Sequence, residues 1–596
     1  MAQDRGPSRS PAAAFETRTG GSSSAPGDSG YIPAELDATR WEQIEPLARG
    51  LLERQVNSAA EFEAWLLDRS ELDAACGEGR ATLYINMTCH TDDKEASGAW
   101  SRYIEEVPPK LRPMSFELDK RQVDLAKSFP LDAKRYMVLE RATKADVELF
   151  RAENVPLMTE QDRLTQQYQQ ITGAMTVDFD GREHTLPQMG RYMQETDRSV
   201  RERAWRAVSD RRLKDKDAID EVYDKLVTLR HKIAKNAGFA NFMEYSFKSM
   251  KRFDYTPAHC EAFHEAVAKH VVPLVRRLDE QRRAALKVDA LRPWDLAVDE
   301  QGRDPLTPFA DGDELLRLSR RVFDRMGGGL GEMFAELGEN GTPGECLDLD
   351  SRKGKAPGGY QYMRDRSRRP FIFMNAAGLH RDVETMLHEA GHAFHSQLSR
   401  HEPLVAYRES PIEFAEVASM SMELLSMTEW EVFYPKEADL VRAKRLQLED
   451  HTIMILPWIA QIDAFQHWVY MHPGHTRAQR NAEWLRLDER FGHALSWDKI
   501  EDARAWQWQR QLHLFIHPFY YIEYGIARLG SMGLWLTSLE KGRDTALALY
   551  KRGLSLGGSR PLPELFGAAG LPFDFGPETV KRLVDAVVQE LEALQN

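Results

Sequence analysis

The chain is 596 residues long, with 42% apolar, 10% aromatic and 29% charged residues. That is the make-up of a soluble globular protein with enough chain for a sizeable core. A net charge of -14 argues against a nucleic-acid or anionic-membrane partner, and no apolar run approaches the length of a membrane span.

The four cysteines (Cys76, Cys89, Cys260 and Cys346) are scattered with no CxxC pair. The N-terminus has no basic-then-apolar signal pattern. Free thiols in a reducing cytoplasm are therefore the expectation.

Residues 1 to 30 are rich in Ser, Gly, Ala and Pro and read as a disordered tail. From Trp41 onward apolar residues recur at three to four, as helices require. Leu47, Leu51, Leu52, Phe62, Trp65 and Leu66 are the first of them. Residues 96 to 170 continue as amphipathic helices broken at Pro108-Pro109, Pro130 and Pro156. Asp180-Gly181 between two short alternating segments predicts a hairpin near 175–186, with Glu183 and His184 facing solvent. Residues 190 to 290 read as helix, with Ala237-Gly238 ending one of them. His264 and His270 are six apart, which fails the spacing of a helical ligand pair, so His259, His264 and His270 read as ordinary helix surface and core. The glycines at 327–331 lack the Lys-Ser/Thr of a P-loop and read as a turn.

The helical pattern breaks between 345 and 377, where Gly358-Gly359-Tyr360 and Phe371 to Asn375 read as short strands. Then comes His388-Glu389-Ala390-Gly391-His392, an HExxH motif. Histidines four apart lie on one helix face, so both imidazoles can turn to one metal ion. Glu389 lies beside that face and can take a proton from an activated water. Three fixed positions make a weak motif alone. Here Val383, Met386, Leu387, Ala390 and Phe394 put it on a core helix, where a carboxylate and two imidazoles are costly without partners. Zn²⁺ suits two imidazoles plus a carboxylate, though imidazole also accepts other transition metals.

A third ligand is required. His395 lies seven residues beyond His388, about 10 Å along the axis, and reads as packing. Ser410 and Pro411 look like a helix start, which puts Glu413 at the capping-box position and leaves Glu416 as the candidate. Farther on, Pro518 reads as another helix start, which places Tyr520 and Tyr524 four apart on one face. A phenol or imidazole aimed at the metal would stabilise an oxyanion.

Together, HEAGHAFH, PIEFAEVAS, the segments 352–360 and 370–375, and HPFYYIEYG at 517–525 resemble the M3 zinc metallopeptidases, most closely the oligoendopeptidase F branch. The resemblance covers most of residues 160 to 590. It implies one Zn²⁺ per chain, held by His388, His392 and Glu416, with Glu389 as general base. It implies a His and one or more Tyr at the oxyanion; Tyr524 is the best match, then His513, then Tyr520 and His517. The Gly-rich loop and fixed His/Tyr spacing of the family's eukaryotic branch are missing. It further implies that Gly358, Gly359 and Tyr360 border an edge strand along which an extended peptide lies.

The implied fold is mostly α: a two-lobed body with a deep channel, the HExxH helix and a small β-sheet beside it. The tail would cover 1–30, a helical N-terminal lobe 31–200, and the catalytic domain 201–590. The expected function is a cytoplasmic endopeptidase for short unfolded peptides. A zinc carboxypeptidase or dipeptidase of related fold, or a peptide-binding protein without activity, are the alternatives. Oligomeric state is not encoded in any of these features.

Overall fold

The structure is a computed structural model that describes residues 30–341 and 346–594. The N-terminal tail expected over 1–30 thus lies almost wholly outside the described residues. The described chain forms twenty-four α-helices, short 3₁₀ and π segments and five strands. Prolines punctuate the early helices as expected. Pro108 opens Pro108–Ser128, Pro130 falls in the gap before Ala133–Leu149, and Pro156 sits in the first turn of Val155–Gly173.

Strands β1 (Thr176–Phe179) and β2 (Arg182–Thr185) pair antiparallel. Asp180 and Gly181 both have positive φ, 51° and 74°. A two-residue hairpin turn needs that geometry to match the strand twist. One expectation fails here: Glu183 is exposed, but His184 is buried, with Tyr192 Oη 3.3 Å from its Nε2. Side chains alternate along a strand, so only one of the two neighbours can face solvent.

Among the described residues there are two large hydrophobic cores and a small third cluster of Ile85, Cys89, Phe371 and Phe373. The smaller core gathers Ile44, Leu51, Phe62, Trp65, Leu118 and Tyr136 from the N-terminal helices, with Leu404 and Tyr407 inserted from far along the chain. Tyr407 Oη accepts the Leu139 N–H at 3.1 Å and donates to Arg135 O at 2.9 Å. The large core begins at Leu149 and runs to Leu591. The packing of residues 149–200 is thus shared with the large core. The helix Val155–Gly173 and the hairpin bury their apolar faces in the main body.

Beside that body lies a three-stranded sheet of β3 (Leu347–Asp350), β4 (Tyr360–Arg364) and β5 (Arg369–Ala376). The order is β3-β5-β4, with β3 parallel and β4 antiparallel to β5. The run Phe371 to Met374 is buried on both faces, as a central strand requires. β4 is an edge strand, and its glycines, Gly358 and Gly359, precede it.

The β4–β5 turn holds a misplaced charge. Burial, with Glu409 adding to it, pushes the Asp365 carboxyl up to about 7. Its folded pKa exceeds the unfolded value of about 4, so its contribution is fully present below pH 4 and is lost as pH rises through 7. Asp365→Asn is therefore expected to gain on the order of 1–2 kcal/mol at pH 8 and little at pH 4, read by urea melts at both pH values.

Candidate metal centre

The HExxH segment lies on the motif helix His380–Ser399. Val383, Met386, Leu387, Ala390 and Phe394 are fully buried, so the expected apolar stripe packs as the spacing requires. The opposite edge turns His388 and His392 toward the glutamate helix Ile412–Leu425. His388 Nε2 stands 3.4 Å from Glu416 Oε2, and His392 Nε2 stands 3.7 Å from it. These separations are long for a hydrogen bond. They match ligands around one tetrahedral ion with bonds near 2.0–2.1 Å, for which donor atoms lie about 3.3 Å apart. The three donors lie within 4.8 Å of one another, so they could hold a metal ion.

The atoms behind the donors set their orientation. His388 donates Nδ1–H to Glu423 Oε1 at 2.7 Å, which turns its Nε2 toward Glu416. Glu423 also accepts from Arg528 Nη1 at 2.9 Å and Gln447 Nε2 at 3.1 Å. Burial alone would raise its pKa, but Arg528 and His388 hold the Glu423 carboxyl down to about 2. Ser419 Oγ donates to Glu416 Oε2 at 2.9 Å. Glu423→Gln is expected to weaken metal affinity 10–100-fold, measured by competition with a calibrated chelator.

Glu389 is buried beside the two histidines. Burial pushes its carboxyl up to about 7 against the pull of His388, and the Gln361 backbone N–H of β4 bonds to it. A carboxylate poised near neutrality can both take and return a proton.

The site forms only because two helices touch. At Gly391 an added Cβ would lie 2.5 Å from Ala418 O and 2.6 Å from Ser419 Cα. The Gly within the motif lets the glutamate helix come close enough for Glu416 to reach both imidazoles.

Two local expectations near Glu416 are overturned. The helix starts at Ile412 with Pro411 as its cap, and Ser410 Oγ instead meets His395 Nε2 at 3.0 Å and donates to Gly557 O at 2.7 Å. Glu413 does not close a capping box; it accepts the Tyr255 hydroxyl at 2.6 Å. Its partner comes from 158 residues away in the chain. His395 is buried and serves packing, as expected.

The tyrosine helix spans Tyr521–Lys541. Pro518 does not begin it. Phe519 adopts a left-handed φ of 68°, and Tyr520 is the cap. That turn is held by Gln466 Oε1, which accepts Phe519 N–H at 2.6 Å, and by Arg252, which donates to Phe519 O at 2.5 Å. Tyr520 and Tyr524 still meet, with ring centroids 5.2 Å apart, and both feel the Glu416 charge.

His513 joins this cluster, 5.8 Å from Tyr520 and 6.0 Å from Tyr524. His517 lies 6.1 Å from Tyr520, on the exposed side. Trp458 Nε1–H donates to Gln511 Oε1 at 3.0 Å, which fixes the amide so that its Nε2 donates to His513 Nδ1 at 2.8 Å. The His513 proton therefore resides on Nε2. Burial depresses the imidazole pKa to about 4, so the ring is neutral at pH 7.

Gly358, Gly359 and Tyr360 are not drawn into this group. Gly358 has φ 104° and open space around it. A Cβ on Gly359 would sit 3.3 Å from Thr385 of the motif helix. Tyr360 stacks on Phe373 at 4.8 Å, and its hydroxyl meets Thr88 Oγ1 at 2.6 Å. Beside them lies a cavity of about 490 Å³, lined in part by Arg80, Tyr84, Trp100, Gly358 and Gly359.

Sequence reasoning missed Glu423, Gln361 and Gln511. Glu423 had a signal: it follows Glu416 by seven residues, two turns along the same face. Gln361 acts through its backbone, so its residue type carries no signal.

The profile of peptidase family M3 matches residues 191–575. The solved structure of PZ peptidase A with an inhibitor superimposes with a TM-score of 0.82 at 27% identity, over 93% of this chain and 97% of that one. Sequence relatives include oligoendopeptidase F of Lactococcus lactis, 24% identical over 27% of this chain and 25% of that protein. Oligopeptidase PepF of Bacillus subtilis is 24% identical over 56% of this chain and 48% of that protein. These sequence matches span less than half of the relatives' own length. Among the described residues no helix is long and apolar enough to cross a membrane. The chain belongs to peptidase family M3 and has the mostly helical fold of its solved oligopeptidase members.

Proposed function

We propose that this protein is a cytoplasmic zinc-dependent oligoendopeptidase that hydrolyses internal bonds of short unfolded peptides. The observation that carries the reading is the convergence of His388, His392 and Glu416 on one point, with Glu389 beside it and the His513–Tyr524 cluster near Glu416. One Zn²⁺ per chain would supply the Lewis acid that polarises the scissile carbonyl and acidifies water.

Glu389 takes a proton from the attacking water and delivers it to the leaving amine. The Gln361 N–H keeps its carboxylate aimed. Tyr524 O–H and His513 Nε2–H donate to the carbonyl oxygen as it gains charge, with Tyr520 and His517 lining the approach. The β4 edge behind Gly358, Gly359 and Tyr360 offers backbone groups to an extended peptide whatever its sequence. Tyr524→Phe is expected to lower kcat about 100-fold or more with KM changed only a few-fold, from initial rates on a quenched-fluorescent peptide.

The test of the function itself is a mass-spectrometric digest of a defined peptide mixture, with Glu389→Gln as control. Internal cuts that vanish in the control support the endopeptidase reading. Trimming of one or two residues from an end would replace it with the carboxypeptidase or dipeptidase reading. Metal-loaded protein that binds peptides but cuts none would leave a binding role.

A further inference from the structure

A second set of metal-ligating side chains lies deep in the main core, apart from the first. The helix Pro257–His270 carries Cys260 and His264, four residues apart. The helix Ile455–Met471 carries Asp463 and His467, also four apart. That spacing puts each pair on one face, and the two faces meet. Cys260 and Asp463 are wholly buried, with His264 4% and His467 8% exposed. The Cys260 sulfur, an Asp463 oxygen and a His467 ring nitrogen lie within 4.8 Å of one another.

The bonding within the cluster is incomplete. His264 Nε2 meets Asp463 Oδ2 at 2.9 Å. Asp463 Oδ1 has no hydrogen-bond partner among the described residues. His467 Nε2 stands 3.3 Å from Asp463 Oδ2, close to the 3.4 and 3.7 Å that separate the His388 and His392 donors from Glu416. A buried carboxylate oxygen without a partner costs roughly 1–3 kcal/mol, so Asp463 Oδ1 beside a thiol and an imidazole calls for a ligand.

We propose that Cys260, Asp463 and His467 hold a second, structural zinc ion, with His264 fixing the carboxylate from behind. Thiolate, imidazole and carboxylate are zinc's ligand types. On binding, the Cys260 S–H proton is released to solvent and the sulfur–metal bond forms. One thiolate and one carboxylate then balance the double charge of the ion, so the dry core carries no net charge. The ion joins two helices that local sequence does not connect. One of them carries Gln466, whose side chain pins the Phe519 turn beneath Tyr520. The second ion thus braces the seat of the tyrosine cluster.

The proposal does not depend on the catalytic reading, and elemental analysis separates the two. Protein purified without chelator from zinc-supplemented cells is expected to hold two zinc ions per chain, His388→Ala one, and Cys260→Ser one. Because Cys260→Ser could fail to fold, cobalt-loaded His388→Ala protein gives an independent readout. The first site has no sulfur ligand, so a thiolate-to-cobalt charge-transfer band in the near ultraviolet reports the second site alone. One zinc ion in the unmutated protein, none in His388→Ala and no thiolate band would overturn the proposal. The cluster would then be a His264–Asp463–His467 hydrogen-bond network with Cys260 as packing. A His388→Ala protein that still held two ions would instead overturn the first site's ligand assignment.

Discussion

Glu389→Gln is expected to lower kcat about a thousandfold or more while the purified protein keeps its full metal content. Glutamine has the size of glutamate, and its carbonyl oxygen can still accept the Gln361 N–H. None of His388, His392 or Glu416 is altered. Only the capacity to accept a proton is lost, and a thousandfold corresponds to about 4 kcal/mol of barrier. KM should change little, because the carboxylate contributes to the transition state and not to peptide binding. Turnover within tenfold of the unmutated protein, with metal bound, would remove Glu389 from the mechanism.

The second large effect is expected from a residue with no side chain. Gly391→Val places a branched Cβ where Ala418 O lies 2.5 Å away and Ser419 Cα 2.6 Å away. Both obstacles are backbone, so no rotamer can relieve the clash, and the helices must separate by about 1 Å to reach normal contact. Glu416 is one turn from Ser419 and moves with it. Metal ligands tolerate only about 0.2 Å, so affinity should fall by 100-fold or more. Overpacking adds about 1–3 kcal/mol of destabilisation. Metal titration and thermal melts read the two consequences separately. A variant with unchanged metal affinity would show that the close helix contact does not position Glu416.

Much of the site was legible because its signals are short-range. HExxH on an apolar stripe fixes which helix face carries His388 and His392, and the buried residues at 383, 386, 387, 390 and 394 follow that period. Asp180-Gly181 specifies its turn through the two positive φ angles that those residue types tolerate. The run at 371–375 reads as a short strand, and the structure makes it the central one, with 371–374 buried. Local rules failed where a distant partner outweighed them. Glu413 left its cap for Tyr255, and the helix start expected at Pro518 yielded to a turn that Arg252 and Gln466 hold at Phe519. His184 was misplaced for a different reason: alternation says that two neighbours face opposite sides but not which side is the core.

By itself the sequence determined most of the elements, the turn chemistry and the shared helix face of His388 and His392, because each depends on spacings of a few residues along one helix or strand. Only the tertiary structure decided which faces meet. Glu423 of one helix lies between His388 and Arg528 from two others, and Cys260 meets Asp463 across 203 positions of chain. Those pairings follow from packing apolar stripes into shared cores and from bringing buried charges to opposite partners. That condition is set by the whole molecule, and no local window of residues contains it.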